Sequence, residues 1–126
     1  MADPLACEPI PDSALLFRRI HRLFFDPASG HVSSGAFDGQ EMSVNWDKYA
    51  TPEETAVQDL IGNTVAVVSL TAHSCRRAEQ TVVHDPLPPT NGGPANPAHS
   101  LVCGRKSRPI KHRLRDAASL VWQSRD

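Results

Sequence analysis

The residue types able to do chemistry gather around one proline-rich stretch. His84 and Asp85 open it, and His99 and Cys103 lie in the apolar run that follows it. All four can ligate a metal, so zinc is the first chemistry to weigh. On a strand, His99 and Cys103 would face the same side but stand about 13 Å apart along the chain. One zinc ion gathers three or four ligands at about 2.0–2.3 Å, so the spacing is poor and no metal and no cofactor is expected. The plainer assignment has Asp85 capping a turn, His99 packing at a sheet edge and Cys103 lying in the core.

Nucleophilic chemistry has no signature either. The chain contains no G-x-S-x-G elbow, and a Cys–His pair built on Cys75 or Cys103 would rest on thiols that read as buried and inert. If the chain is a small transferase or hydrolase with a site around the 85–99 loop, its candidate residues are Arg19, Ser34, Asp85 and His99. These four in one concave pocket would favour an enzyme; scattered positions would favour a binding module. No dinucleotide or P-loop glycine pattern occurs, and Gly92-Gly93 lies among prolines with no helix behind it to present amides.

Charge supplies the remaining candidate surface. Residues 1–104 hold 6 Lys/Arg and 12 Asp/Glu, whereas residues 105–126 hold 7 and 2. Arg108, Lys111 and Arg115, on the outer face of an expected terminal helix, are therefore binding candidates for phosphates or an acidic partner. Between Arg105 and Arg115 there is no aromatic residue to stack on a base. Nucleic-acid or anion binding is thus the weaker assignment, and a solvated face or a protein-partner surface is preferred.

Several elements must position these groups. Pro4, Pro9 and Pro11 make residues 1–12 a flexible lead, before a single globular domain over 13–126. Residues 14–25 are ambiguous: Leu16, Ile20, Leu23 and Phe24 have helical spacing, yet an extended run fits as well. Met42–Trp46 alternates as a strand. Thr51-Pro52-Glu53-Glu54 is a capping box with proline at the first helical position, opening a helix through Ala56, Val57, Leu60 and Ile61 that stops at Gly62-Asn63. Thr64–Leu70 reads as a buried strand, Thr71–Ala78 as a short helix and Gln80–His84 as a strand, a unit compatible with parallel pairing. After the long connection 85–98, His99–Cys103 is a strand. Ser107 then caps an amphipathic helix carrying Ile110, Leu114, Ala117 and Val121.

A chain of 126 residues with 40% hydrophobic and 21% charged residues suits one globular domain. Three widely spaced cysteines do not suit a disulfide framework, and neither a signal peptide nor a membrane span is legible, so a cytoplasmic location without membrane association is expected.

The pattern Phe17-Arg18-Arg19-Ile20, Ser33-Ser34-Gly35-Ala36-Phe37, Met42-Ser43-Val44, Asp85-Pro86, Pro97-Ala98-His99 and Gly104 resembles that of small uncharacterised bacterial proteins. The likeness spans residues 15–122 and implies that Leu16–Ile20 is extended; it brings no activity. At the level of fold, an arginine-bearing first strand followed by a serine-rich turn and Phe37 is also similar to small NAD-consuming transferases, though no clear catalytic glutamate accompanies it. The expected fold is mixed α/β (α+β): a sheet of four or five short strands, two or three helices and a C-terminal amphipathic helix. The expected role is a non-enzymatic accessory or protein-interaction module of a bacterial cytosol, with a small enzyme as the alternative.

Overall fold

The computed structural model describes residues 6–90 and 93–125. Leu15–His21 forms strand β1 rather than a helix. A four-residue spacing such as Leu16 to Ile20 puts both side chains on one face under either periodicity, which is why the sequence left the choice open. The neighbouring strands settle it, because β1 lies between two of them and its backbone groups are satisfied laterally. A 3-10 turn, Arg22–Phe24, leads to a small ribbon of β2 (Phe25–Asp26) and β3 (His31–Val32). The other elements are β4 (Glu41–Trp46), α1 (Pro52–Val57), β5 (Thr64–Thr71), α2 (Ala72–Arg77), β6 (Thr81–His84), β7 (His99–Cys103), α3 (Arg108–Ala117) and β8 (Ser119–Gln123).

The main sheet has six strands in the order β6-β7-β4-β1-β5-β8, and every neighbouring pair is antiparallel. With three α-helices among the described residues the protein is a mixed α+β fold, its sheet larger than the four or five strands expected. The unit β5-α2-β6 does not make a parallel pair. β5 pairs with β1 and β8, β6 pairs with β7, and three strands stand between them. A strand–helix–strand pattern fixes direction but not adjacency, and here α2 carries the chain to the far edge.

The sixth strand arises from residues expected to extend the terminal helix. α3 ends at Ala117, the Ala118 amide bonds back to the Arg115 carbonyl, and Ser119–Gln123 turns onto β5. β5 is apolar along most of its length, so its free edge would leave a row of backbone donors and acceptors unpaired; β8 satisfies them. Ala117 and Val121 consequently face solvent rather than a core. Ser107 occupies the position preceding α3 but its hydroxyl makes no capping bond.

The capping box of α1 forms as the sequence dictates: Thr51 Oγ1 accepts from the Glu54 amide at 3.1 Å and Glu54 Oε1 accepts from the Thr51 amide at 2.9 Å. The helix is shorter than its apolar spacing suggests. Asp59 ends it by accepting from the amides of Ile61 and Asn63 and the Thr64 hydroxyl, and Gly62 takes a positive φ of 80° that completes the turn. Leu60 and Ile61 are left in solvent.

Alternation divides the sheet into two unlike faces. Leu16, Ile20, Met42, Val68, Leu70 and Val102 point to one side, where Ala72 and Cys75 of α2, Leu114 of α3 and Phe37 seal them into the main core. On the other side Phe17 and Val67 pack beneath Ala56 of α1, a much smaller cluster. Residues 6–12, in the segment expected to be a loose lead, are tied to the body: Ile10 is buried, Arg76 bonds Asp12 and the Ile10 carbonyl at 2.6 Å each, and Glu8 engages Lys48 and Tyr49. Among the described residues no helix is long and apolar enough to cross a membrane.

The connection 85–98 is not structureless. Residues 85–90 and 93–98 continue β6 and β7 as the two sides of an irregular hairpin arm, with antiparallel bridges between Leu87 and Asn96 and between Thr90 and Gly93. The arm rises beside α1, and between them the second face of the sheet stays open.

Candidate active site

The floor of that opening is the β4–β7 ladder. Asn45 pairs with His99 and Ser43 with Leu101, so Ser43 and His99 share a face as diagonal neighbours. His99 Nε2 lies 3.2 Å from Ser43 Oγ. On its other side, His99 Nδ1 is 2.9 Å from the Asp85 carbonyl and 3.2 Å from Asp85 Oδ2. Both partners of Nδ1 are acceptors, which places the ring proton on Nδ1 and leaves the Nε2 lone pair to accept from the Ser43 hydroxyl. The His99 side chain is 15% exposed and the Asp85 side chain 46%, so the histidine is shielded while its carboxylate partner reaches water.

The backbone holds these groups in place. Asp85 follows β6 directly, and its amide bonds the His99 carbonyl at 2.9 Å. His84, one residue earlier, is buried; its Nε2 meets the Pro97 carbonyl at 2.7 Å, and its Nδ1 accepts from the Glu8 amide at 3.0 Å. The ring stacks on Tyr49 and meets Trp46 edge-on, so it fixes both roots of the arm as a structural group. The β1–β4 ladder comprises the pairs Leu16–Trp46 and Phe17–Asn45. Past it, Arg18 donates from Nη1 to the Ser43 carbonyl at 2.9 Å and from Nε to the Ala36 carbonyl at 3.1 Å. Burial, with the like charge of Arg19 beside it, lowers the pKa of Arg18 to about 10. That side chain is a strut.

Arg19 points the other way, into the opening. Its Nη1 has a long contact of 3.5 Å to Gln58 Oε1, and among the described residues it forms no ion pair with a carboxylate. Behind it runs a polar network. Asn45 donates to Thr55 Oγ1 at 3.0 Å and Gln58 Oε1 at 2.8 Å, and Asn96 donates to Asn45 Oδ1 at 3.0 Å. The network ties β4, α1 and the arm together at the base of the opening.

The resulting cleft has a volume of about 480 Å³ and is lined by Arg19, Ser43 and His99 from the strands and by Val57, Gln58, Leu60, Leu87 and Pro94 among others from α1, the turn after it and the arm. Three of the four residues expected for an enzyme thus converge: Arg19 and His99 line the cleft, and Asp85 bonds His99. Ser34 does not join them. It begins a 3-10 turn, Ser34–Ala36, that packs against α3 beside the main core. The serine that does face His99 is Ser43, which lies in the Met42-Ser43-Val44 motif but to which the sequence attached no role. The alternation of Met42-Ser43-Val44-Asn45-Trp46 is the signal that puts Ser43 and Asn45 together on the strand's polar face.

The remaining candidates lie elsewhere. On α3, Arg108 is exposed, Lys111 pairs with Asp38 at 3.1 Å and Arg115 with its neighbour Asp116 at 3.1 Å. Cys75 is on the buried side of α2, and burial pushes its thiol up to about 11. Burial and the nearby Glu41 carboxylate raise the Cys103 thiol as well. Neither cysteine is primed as a nucleophile. Among the described residues no three His, Cys, Asp or Glu side chains gather to hold a metal ion.

Fold and site together define a class: a small α+β protein whose six-stranded antiparallel sheet presents serine, histidine and arginine in a cleft on its thinly covered face, with Asp85 against the histidine from the residue after β6. No known protein family, no curated protein sequence and no solved structure matches the chain.

Proposed function

We propose that the protein is a serine hydrolase acting by acyl transfer, with Ser43 as nucleophile, His99 as general base and acid, Asp85 as the group that orients His99, and Arg19 as the partner of the developing oxyanion. The reading rests on one observation, the continuous contact from Ser43 Oγ through His99 to Asp85 at 3.2 Å on each side of the ring. A serine hydroxyl is a weak nucleophile until an adjacent base takes its proton, and that base needs its second nitrogen held as a donor. In the proposed reaction Ser43 Oγ attacks a carbonyl carbon while His99 Nε2 accepts the hydroxyl proton. Negative charge collects on the carbonyl oxygen, beside the guanidinium of Arg19. Collapse of the tetrahedral species breaks the bond to the leaving group, which takes the proton from His99. Water, deprotonated by the same nitrogen, then releases the acid and restores Ser43.

A fluorophosphonate probe tests the reading, since it labels a serine only where a base activates it. The wild-type protein should gain one adduct, located to Ser43 by peptide mass spectrometry. Ser43→Ala should carry none, and His99→Ala should label at least a hundredfold more slowly. A folded wild-type protein that stays unlabelled, or labels elsewhere, would sink the proposal.

The exposed apolar side chains of Val57, Leu60 and Ile61 favour a second reading, the protein-interaction module, whose contact surface is the end of α1 with the hairpin arm. The same variants separate the two. A module keeps its partner in pull-downs when Ser43 is alanine, and it takes up no probe.

A further inference from the structure

The cleft that holds Ser43 and His99 has a mixed lining. The sheet floor supplies Arg19, Ser43 and His99; the α1 and arm walls supply the apolar Val57, Leu60, Leu87, Pro94 and Ala95 alongside Gln58, Thr90 and Asn96. Val57 and Leu60 are 69% and 82% exposed, so two large aliphatic side chains stand in water at the mouth of a polar site. Neither serves the fold. Ala56 makes the contact between α1 and the sheet, and Leu60 lies past the end of the helix, in the Asp59 turn. A volume of about 480 Å³ is that of a small-molecule pocket rather than of a protein interface, and it is continuous with the reacting hydroxyl. Among the described residues the lining contains no acidic side chain, so it does not favour a cationic substrate.

Resting on the hydrolase reading above, we infer that the α1–arm cleft is an acyl pocket and that the substrate class is esters of uncharged, medium-length aliphatic acids. The acyl chain lies along Val57, Leu60 and Leu87, its carbonyl reaches Ser43 with the oxygen toward Arg19, and the alcohol departs on the solvent side. Each methylene that leaves water for the apolar wall increases transition-state binding by up to about fourfold. Selectivity therefore appears as a slope of kcat/KM against chain length. The cleft also bounds the slope, because a chain longer than the wall returns to water.

Hydrolysis of p-nitrophenyl acetate, butyrate, hexanoate and decanoate by the intact chain tests this. The ratio of kcat/KM for hexanoate to that for acetate should be at least about tenfold in the wild type, with no further gain at decanoate. In Leu60→Ser it should fall below about threefold, mainly through KM for hexanoate. Leu60 is a surface residue, so far-UV circular dichroism should confirm that the variant folds. A wild-type protein that cleaves acetate and hexanoate alike, or a preference that survives in Leu60→Ser, would overturn the acyl pocket and leave the Ser43 reading standing. Failure to cleave any ester, together with absence of fluorophosphonate labelling, would remove both.

Discussion

The two faces of the main sheet are built from the same strands and do opposite work. On one, Leu16, Ile20, Met42 and Val68 meet α2, α3 and Phe37, and the space is filled by apolar side chains. On the other, alternate residues of the same strands meet only α1 and the hairpin arm, and Arg19, Ser43, Asn45 and His99 are left beside a cleft. Apolar packing concentrates on the sealed face, and the polar side chains gather on the open one. A polar group on a sealed face must find every partner within the protein, which rigidifies it. On a thinly covered face the same group keeps a lone pair or a donor for a ligand. Arg18 and Arg19 condense the contrast into one dipeptide: the first spends its donors on the Ala36 and Ser43 carbonyls, the second faces the cleft.

If this division holds, substitutions on the two faces should separate stability from chemistry. The largest stability effect is expected from Phe37→Ala, which empties a fully buried site in the main core. It should cost about 3–5 kcal/mol, read as a lowered urea midpoint, while probe labelling below the transition proceeds at the wild-type rate. A parallel loss of labelling would show that the faces are coupled. Asn45→Ala is intermediate. It strips a partner from the buried Thr55 hydroxyl and from Asn96, so about 1–3 kcal/mol should be lost. Here labelling should slow as well, because the network joins the walls of the cleft. Thr51→Ala should cost least, about 1 kcal/mol, by leaving one N-terminal amide of α1 without its acceptor. An unchanged midpoint would mean that the helical cover of the open face does not depend on its cap.

Much of this architecture was legible in the chain. The capping box at Thr51, the buried strand Thr64–Leu70, the short helix around Cys75 and the strand at His99 all follow from local chemistry: a hydroxyl within reach of an amide, an apolar run, a period of two. These signals act over a few residues, so a sequence carries them in full. The same locality explains why Asp85, His99 and Arg19 stood out, since each is a charged or titratable group next to an apolar run or a stiff loop.

What failed locally was decided by pairing. Residues 119–123 fit the apolar spacing of a helix, yet β5 needed a partner at its edge, and that need is invisible from within the segment. β5 and β6 looked like neighbours because one short helix joins them, whereas the three strands between them come from elsewhere in the chain. Proximity to His99 follows the same rule: Ser34 sits in a conspicuous turn away from it and Ser43 in a short strand beside it. Only the register that sets Asn45 opposite His99, fifty-four positions later in the chain, brings Ser43 against the imidazole. The sequence by itself determined which residues can cap, pack or react, because those are properties of side chains and their nearest neighbours. Which of them meet was settled by strand order and register, through the requirement that every backbone group of a six-stranded sheet find a partner.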